Sequence, residues 1–254
     1  MATVPIRDIN VHYQHGGNGP RLLFLNGSGA TLAGLEPVLA QFRERFELLA
    51  HDQRGLGLTS VPSGTPTMAD FAADALALAD HVGWHRFRVL GLSFGGMVAQ
   101  ELAVSAPERV ERLALLCTSP GGAGGSSYPL HELAPGEAPS TLYDTRFTNE
   151  WLAEHPGDAT LAELVTAGSS TPRSHGAELQ LEARRHHDVW DRLDRIRCPT
   201  LVAAGRWDGI APLANSEAIT ARVHDAELRV YDGGHIFFLQ DPKAFPDAMD
   251  FLEA

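Results

Sequence analysis

Ser93 is the residue of this sequence best placed for nucleophilic chemistry. It lies in the run Gly-Leu-Ser-Phe-Gly at residues 91–95, between a strand predicted over residues 87–90 and a helix predicted over residues 97–105. A serine in so tight a strand-to-helix turn takes strained backbone angles, and the flanking glycines leave room for the chain. The turn points the hydroxyl out of the sheet, toward the positive end of the following helix. The pattern predicts a serine nucleophile.

A serine hydroxyl needs a general base, and the base needs an acid that orients it. His235 follows the last predicted strand in an Asp-Gly-Gly-His run, and Asp208 follows the strand predicted over residues 200–204. The chain order is Ser, Asp, His, with each residue after a strand, as expected for an α/β architecture with this turn. We predict Ser93 as nucleophile, His235 as base and Asp208 as acid. Asp232 is a rival acid, although its position three residues before His235 favours a role in the turn.

These three residues need a sheet whose strands end at a common edge. Short apolar runs alternate with helical patterns, which predicts an α/β fold with a mostly parallel sheet and helices on both faces. We expect an antiparallel pair of strands over residues 4–6 and 9–13 at one edge of the sheet. The spacing of apolar residues predicts a helix with one apolar face over residues 68–82, capped by Thr67 and Asp70. The other strands are predicted over residues 21–25, 46–51, 87–90, 113–117, 200–204 and 227–231.

The alternation stops at a glycine-rich stretch, residues 119–127, and helical patterns without a convincing strand follow it. We predict a core over residues 1–120 and 197–254, with an inserted helical cap segment over residues 121–196. A helical insertion at the strand ends is a natural lid. The cap segment has six arginines and no lysine against twelve acidic residues, and therefore carries half of the chain's net charge of −12.

Two further glycine-containing motifs follow predicted strands. Residues 26–29 read Asn-Gly-Ser-Gly, and residues 52–59 read Asp-Gln-Arg-Gly-Leu-Gly-Leu-Thr. With the turn at residues 91–95 and the sequences around Asp208 and His235, they make the whole chain resemble the α/β-hydrolase superfamily. The turn resembles the nucleophile elbow of that superfamily, and the resemblance implies the α/β-hydrolase fold with an inserted helical cap.

The resemblance also implies an oxyanion hole built from two backbone N–H groups, those of Ser28 and Phe94. The sequence departs from the family pattern at two positions. Asn26 stands where family members usually carry histidine, which changes the hydrogen bonding of that loop, and Thr59 replaces the final serine of the family's Asp-x-Arg-Gly-x-Gly-x-Ser motif.

Within the superfamily, the short cap and the runs that begin at Ser93 and Ala106 are most similar to small esterases and 3-oxoadipate enol-lactonase-like members. The resemblance implies that a small carboxylic ester or lactone is cleaved through an acyl-enzyme on Ser93, without a cofactor. Two alternatives stay open: a carbon–carbon bond hydrolase with the same triad, and a ligand-binding protein of the same fold that does not catalyse.

The composition excludes several classes of protein. The chain has 254 residues, 32 acidic against 20 basic, so the average field repels nucleic acid and anionic membranes. No apolar stretch reaches the roughly 18 residues of a membrane helix, and residues 1–25 contain no secretory leader pattern. The two cysteines, Cys117 and Cys198, form neither a disulfide framework nor a zinc pattern. We expect a soluble, cytoplasmic protein with a small-molecule substrate.

Other side chains of the cap segment are weaker candidates. His175 stands apart from the adjacent pair His186 and His187, whose side chains point about 100° apart on a helix, so we predict no metal site. Trp151 and Trp190 are expected in the interior of the cap segment. An anionic lactone needs a cationic group there, although the acidic character of the segment counts against it. The candidates for that group are Arg146, Arg173, Arg184 and Arg185.

Overall fold

The computed structural model describes residues 1–134, 139–169 and 173–254, and this part of the chain contains one sheet of eight strands. The strands are β1 (Ala2–Ile6), β2 (Ile9–Gly16), β3 (Arg21–Leu25), β4 (Glu47–His51), β5 (Phe87–Leu92), β6 (Val110–Leu116), β7 (Thr200–Gly205) and β8 (Ala226–Tyr231). Their order across the sheet is β1-β2-β4-β3-β5-β6-β7-β8. The predicted α/β-hydrolase fold is confirmed.

Strand direction explains why the candidate residues meet. β1 pairs antiparallel with β2, and β2 pairs antiparallel with β4. Every other neighbouring pair is parallel. The carboxyl ends of β3 to β8 therefore lie at one edge of the sheet, which is where ligands bind in open parallel sheets. The expected antiparallel hairpin is present at the outer edge.

Helices cover both faces of the sheet. They are α1 (Leu32–Arg43), α2 (Met68–His81), α3 (Phe94–Ser105), α4 (Ser140–Tyr143), α5 (Asn149–Glu154), α6 (Pro156–Ser169), α7 (His175–Arg185), α8 (Leu213–Arg222), α9 (Phe237–Gln240) and α10 (Ala244–Glu253). Helices α2, α3 and α8 pack on one face, and α1 and α10 pack on the other. The predicted capping box of α2 is present, with the Thr67 N–H donating to the Asp70 carboxylate at 2.9 Å.

The central strands are apolar on both sides because both faces of the sheet are covered. On β3, Leu23 and Leu25 pack toward α2 and α3, whereas Leu22 and Phe24 pack toward α1 and α10. All four side chains are fully buried. Burial of such a side chain stabilises the fold by about 1.5–3 kcal/mol. The core therefore fixes the strands and, with them, the positions of the loops that follow them.

The chain between β6 and β7 leaves the sheet. In its described part, helices α4 to α7 and short 3-10 turns occur, with one isolated bridge between Gly121 and Asp188 and no strand. The division into a core and a cap segment as separate domains stays a prediction. No helix in the described ranges is both long and apolar enough to cross a membrane.

One boundary differs from the sequence prediction in a way that concerns the site. Helix α3 begins at Phe94, directly after Ser93, and not at residue 97. The glycines at the start of the helix have low helix propensity, so the apolar pattern alone placed the first turn too late. Because α3 begins at Phe94, its unpaired N–H groups lie next to the serine.

Candidate active site

Ser93 stands between β5 and α3 in a strained backbone conformation. Its φ is 52° and its ψ is −112°, although it is not a glycine. The strand and the helix hold it there, because its N–H donates to the Leu116 carbonyl at 2.9 Å and its carbonyl accepts from Gly96 at 2.9 Å. Strain of this kind costs about 1–3 kcal/mol and persists only where the surroundings impose it.

The glycines on either side of Ser93 are needed because backbone passes close to both. A Cβ on Gly91 would come within 2.7 Å of the Gly96 Cα. A Cβ on Gly95 would collide with the backbone carbonyls of Leu25 and Asn26, at the end of β3. This close approach brings the loop after β3 beside Ser93.

His235 and Asp208 lie beside Ser93, as their chain order predicts. His235 Nε2 is 2.9 Å from Ser93 Oγ, and His235 Nδ1 is 2.8 Å from Asp208 Oδ2. Since an ionised carboxylate only accepts hydrogen bonds, Nδ1 is assigned as the donor to Asp208 and Nε2 as the acceptor from the serine hydroxyl. This is the arrangement in which a histidine can take the serine proton.

The surroundings hold Asp208 and His235 in place. The other oxygen of Asp208 accepts hydrogen bonds from the N–H groups of Ile210 and Ala211, each at 2.8 Å. The His235 N–H donates to the carbonyl of Tyr143 at the end of α4. These hydrogen bonds from two backbone donors fix the orientation of the Asp208 carboxylate.

Asp232, the rival acid, lies outside this arrangement. Its side chain is 73% exposed and accepts from Arg146 Nη1 and from Trp207 Nε1, each at 3.0 Å. His235 Nδ1 is already bonded to Asp208. The geometry therefore favours Asp208 as the partner of the imidazole.

The two N–H groups expected in an oxyanion hole follow β3 and β5 at the same edge of the sheet. Phe94 is the first residue of α3, and Ser28 belongs to the loop after β3. Within the described ranges, neither N–H donates a hydrogen bond to the protein. Ser28 and Ser93 line the same cavity. Both N–H groups are therefore without a protein acceptor, and their role in an oxyanion hole stays a prediction.

Asn26 is fully buried and supports this loop in place of the usual histidine. Its side-chain N–H group donates to the His51 carbonyl at 3.2 Å, and its own carbonyl accepts from Gln53 Nε2 at 3.0 Å. The Thr59 hydroxyl donates to the Asp52 carbonyl at 2.7 Å. That threonine therefore makes a bond within the loop through its hydroxyl, the group it shares with serine.

Gln180, on α7 of the cap segment, is a residue that the sequence reasoning missed. Its side chain is fully buried, accepts from the Gly29 N–H at 2.9 Å and donates to Gln53 Oε1 at 2.7 Å. It thus joins the cap segment to the loop that carries Ser28. Nothing in the local sequence indicates this role, because the partners lie 127 and 151 residues away.

The comparison with known proteins agrees with this architecture. A family model described as alpha/beta hydrolase fold matches residues 20–149. The chain belongs to the α/β-hydrolase fold family. It is 25% identical to 3-oxoadipate enol-lactonase 2 of Acinetobacter baylyi, over 98% of this chain and 94% of that protein.

Two solved structures are similar to this α/β-hydrolase over its whole length. A hydrolase from Pseudomonas aeruginosa has a TM-score of 0.82 and 29% identity, with 100% of this chain and 98% of the other covered. An enol-lactonase from Burkholderia xenovorans has a TM-score of 0.81 and 26% identity, with both chains covered completely. Nearly the whole chain, including the cap segment, therefore aligns with hydrolases.

The cavity of this α/β-hydrolase beside Ser93 is small and apolar. Its volume is about 190 Å³. Apart from Ser28, Ser93 and His235, the side chains around it are mostly apolar, and they include Leu35, Leu92, Leu130, Ile210, Ile236 and Phe238. Such a lining suits an apolar group next to the serine, whereas a charged group there would lose its hydration without compensation.

Both cysteines of the α/β-hydrolase are free and buried. Cys117 lines the cavity behind Ser93, and burial raises the pKa of its thiol well above the ordinary value. Burial also raises the pKa of Cys198 to about 11. Since the thiolate is the reactive form, neither cysteine competes with Ser93 as a nucleophile at neutral pH.

The remaining candidates of the cap segment do not line the cavity at Ser93. The described residues contain no group of three or more histidine, cysteine or acidic side chains placed to hold a metal ion. Trp151 stacks on His155, and Trp190 packs against the core on the face of the sheet that α2, α3 and α8 cover. Arg146 pairs with Asp144. Neither tryptophan lines the cavity at Ser93.

The other cap arginines have different surroundings. Arg185 is half exposed and lies 3.9 Å from Glu182, and Arg173 donates to the Leu130 carbonyl at 3.0 Å. Arg184 is buried and donates to the Tyr128 carbonyl at 2.9 Å.

The close contact at Gly95 gives a stability prediction. In Gly95→Ala the new methyl group meets backbone carbonyls that cannot move without shifting β3, so the free energy of unfolding should fall by about 1–3 kcal/mol or more. Urea denaturation measures this change. Gly64→Ala is the matched control, because a Cβ on Gly64 has no atom within 4 Å. Equal stability of the two variants would contradict the tight turn.

Proposed function

We propose that this α/β-hydrolase is a serine hydrolase that cleaves a small carboxylic ester or lactone through an acyl-enzyme on Ser93. The observation that carries the proposal is the hydrogen-bonded line from Ser93 Oγ through His235 to Asp208, at 2.9 and 2.8 Å. The names of the similar proteins support it, since two of them are enol-lactonases. No cofactor enters the reaction.

The first half of the reaction uses all three side chains. The substrate carbonyl enters between Ser93 and the N–H groups of Ser28 and Phe94. Ser93 Oγ attacks the carbonyl carbon while His235 Nε2 takes the proton, and Asp208 stabilises the resulting imidazolium. His235 then returns the proton to the leaving oxygen, which departs as an alcohol from an ester. When the substrate is a lactone, the leaving oxygen stays attached to the acyl group through the opened ring.

The second half repeats these roles with water. His235 deprotonates a water molecule, the water attacks the acyl carbon, and Ser93 leaves with the proton from the imidazolium. In both halves the negative charge forms on the carbonyl oxygen, within reach of the N–H groups of Ser28 and Phe94. Each such donor typically lowers the barrier by about 3 kcal/mol.

The cap segment, residues 121–196, acts in this proposal as the lid of the site. The Tyr143 carbonyl accepts from the His235 N–H, and Leu130 lines the cavity with Ser93. A cavity of about 190 Å³ limits the substrate to a short acyl chain or a small ring. Residues of the cap segment therefore hold His235 in place and limit the space that is open to the substrate.

The central test removes the nucleophile. Ser93→Ala should lower kcat for p-nitrophenyl esters and small lactones by about 10⁵-fold or more, because the acyl-enzyme no longer forms. Fluorophosphonate labelling, read by intact-protein mass, should modify the wild type and leave the variant unmodified. Circular dichroism and the Tm control for folding. A folded alanine variant with full turnover would exclude Ser93 as nucleophile, and an inactive, unlabelled wild type would indicate a binding protein.

The choice between the two acids gives a second test. Asp208→Asn should lower kcat about 10⁴-fold, because an amide that donates to Nδ1 stabilises the wrong tautomer of His235. Asp232→Asn should keep kcat within about two-fold, because the carboxylate is exposed and pairs with Arg146. Ester hydrolysis at pH 7 measures both values. The assignment of Asp208 is wrong if the two variants exchange these results.

The bond from the cap segment gives a third test. Gln180→Ala leaves the Gly29 N–H and the Gln53 side chain without their partner, so the loop of Ser28 loses its position. We expect kcat to fall about ten-fold with little change in KM, because oxyanion stabilisation acts in the transition state. Gln41→Ala, at an exposed position of α1, is the control. A change in KM alone would assign Gln180 to substrate binding instead of positioning.

A further inference from the structure

Arg184 is a buried cation without a carboxylate partner. It is 9% exposed, and its guanidinium donates a hydrogen bond to a backbone oxygen, the Tyr128 carbonyl, at 2.9 Å. No acidic side chain in the described part of the chain lies within ion-pair distance of it, and the charge of the Asp208 carboxylate acts on it only from farther away. Burial lowers the pKa of its guanidinium to about 10, so it is still charged at neutral pH. Buried charges are normally paired, because desolvation without a partner is costly.

The guanidinium lines a second cavity, which we name the polar chamber. Its volume is about 200 Å³, and its polar side chains are those of Ser119, Ser127, His131, Arg184, Arg185 and His187. The glycine-rich stretch that leaves β6 forms one wall. Among the described residues, no aspartate or glutamate lines the chamber. The chamber is therefore rich in hydrogen-bond donors and lacks a negative charge of its own.

Two further side chains of the polar chamber have buried polar atoms without a hydrogen-bond partner. The Ser127 hydroxyl has no partner, and neither ring nitrogen of His187 reaches hydrogen-bond geometry with one, although the Ser119 backbone is close. Burial lowers the pKa of His187 to about 4, so its ring is neutral at pH 7. Unbonded buried polar groups are rare in folded proteins, and each calls for an explanation.

The donors of the polar chamber match one chemical class of ligand. A guanidinium, a hydroxyl and a neutral imidazole N–H together present one positive charge and several donors, which suits a carboxylate. Arg185 is half exposed with Glu182 nearby, so it adds little unbalanced charge. A phosphate dianion would keep a second charge unmatched. We propose that the polar chamber is a binding site for a carboxylate monoanion, held by Arg184, Ser127 and His187.

The position of the chamber connects it with the proposed reaction. Leu130 lines the cavity at Ser93, and its neighbours Pro129 and His131 line the polar chamber. Met97, one turn along α3 from Ser93, is also part of the chamber wall. The carboxylate therefore has two possible sources, the distal end of the substrate and a free carboxylate that binds beside it. The substrate source rests on the proposed function, whereas the free source does not.

The substrate arm compares a charged with a neutral ester of equal chain length. Mono-p-nitrophenyl glutarate carries a terminal carboxylate, and p-nitrophenyl pentanoate does not. In Arg184→Met the ratio of kcat/KM for the charged ester to that for the neutral ester should fall about ten-fold or more. Arg86→Met is the charge-matched control, because Arg86 is 64% exposed and precedes β5, at the opposite edge of the sheet. That control should leave the ratio unchanged.

The free-carboxylate arm measures binding without turnover. The Tm of Ser93→Ala is measured in acetate or glutarate and compared with its Tm in chloride at the same ionic strength. A carboxylate concentration ten-fold above Kd should raise the Tm by about 3 °C. Adding Arg184→Met should abolish the rise, and adding Arg86→Met should preserve it. Ser127→Ala removes a hydroxyl without a large change in volume and should weaken carboxylate binding about three-fold.

The outcomes separate the two sources. A loss confined to the ester ratio assigns the carboxylate to the substrate, and a loss confined to the Tm shift assigns it to a free anion. The proposal is overturned if folded Arg184→Met and Ser127→Ala match Arg86→Met in both measurements. Full turnover by Ser93→Ala would contradict the proposed function alone, because the binding measurement does not depend on Ser93.

Discussion

The backbone of Ser93 is the constraint on which the rest of the site depends. Its φ of 52° places the side chain between β5 and α3, pointing away from the sheet. That conformation requires glycine at positions 91 and 95, because backbone fills the space of their missing side chains. The same close packing brings the loop after β3 against the start of α3. The conformation of one residue thus fixes the hydroxyl at the start of α3, beside the loop that carries Ser28.

The parallel sheet supplies the other two side chains. Asp208 follows β7 and His235 follows β8, so both loops leave the same edge as Ser93. Backbone donors hold the Asp208 carboxylate, and this carboxylate orients His235. On the opposite side, Asn26, Gln53 and Gln180 connect the loop of Ser28 to the cap segment. The cap segment therefore contacts both the base and the loop that would stabilise the oxyanion.

The cap segment also shows why net charge is a poor guide to local chemistry. It contains twice as many acidic as basic residues, yet the polar chamber contains a buried arginine and no carboxylate in the described chain. Most of its acidic side chains lie at the surface, where water screens them. The apolar cavity at Ser93 and the polar chamber next to it differ in what they can bind, and consecutive residues around Leu130 border both.

The fold could be predicted from the sequence, and Ser93, Asp208 and His235 could be selected as candidates, because strand and helix patterns and glycine spacing are local properties of the chain. The same signals gave no reason to select Gln180, and they left Arg184 as one of four cap arginines. These two positions became apparent from the packing of the folded chain. A hydrogen bond across 151 residues, or a charge without a counterion, depends on which surfaces pack together, and burial is a property of the folded chain.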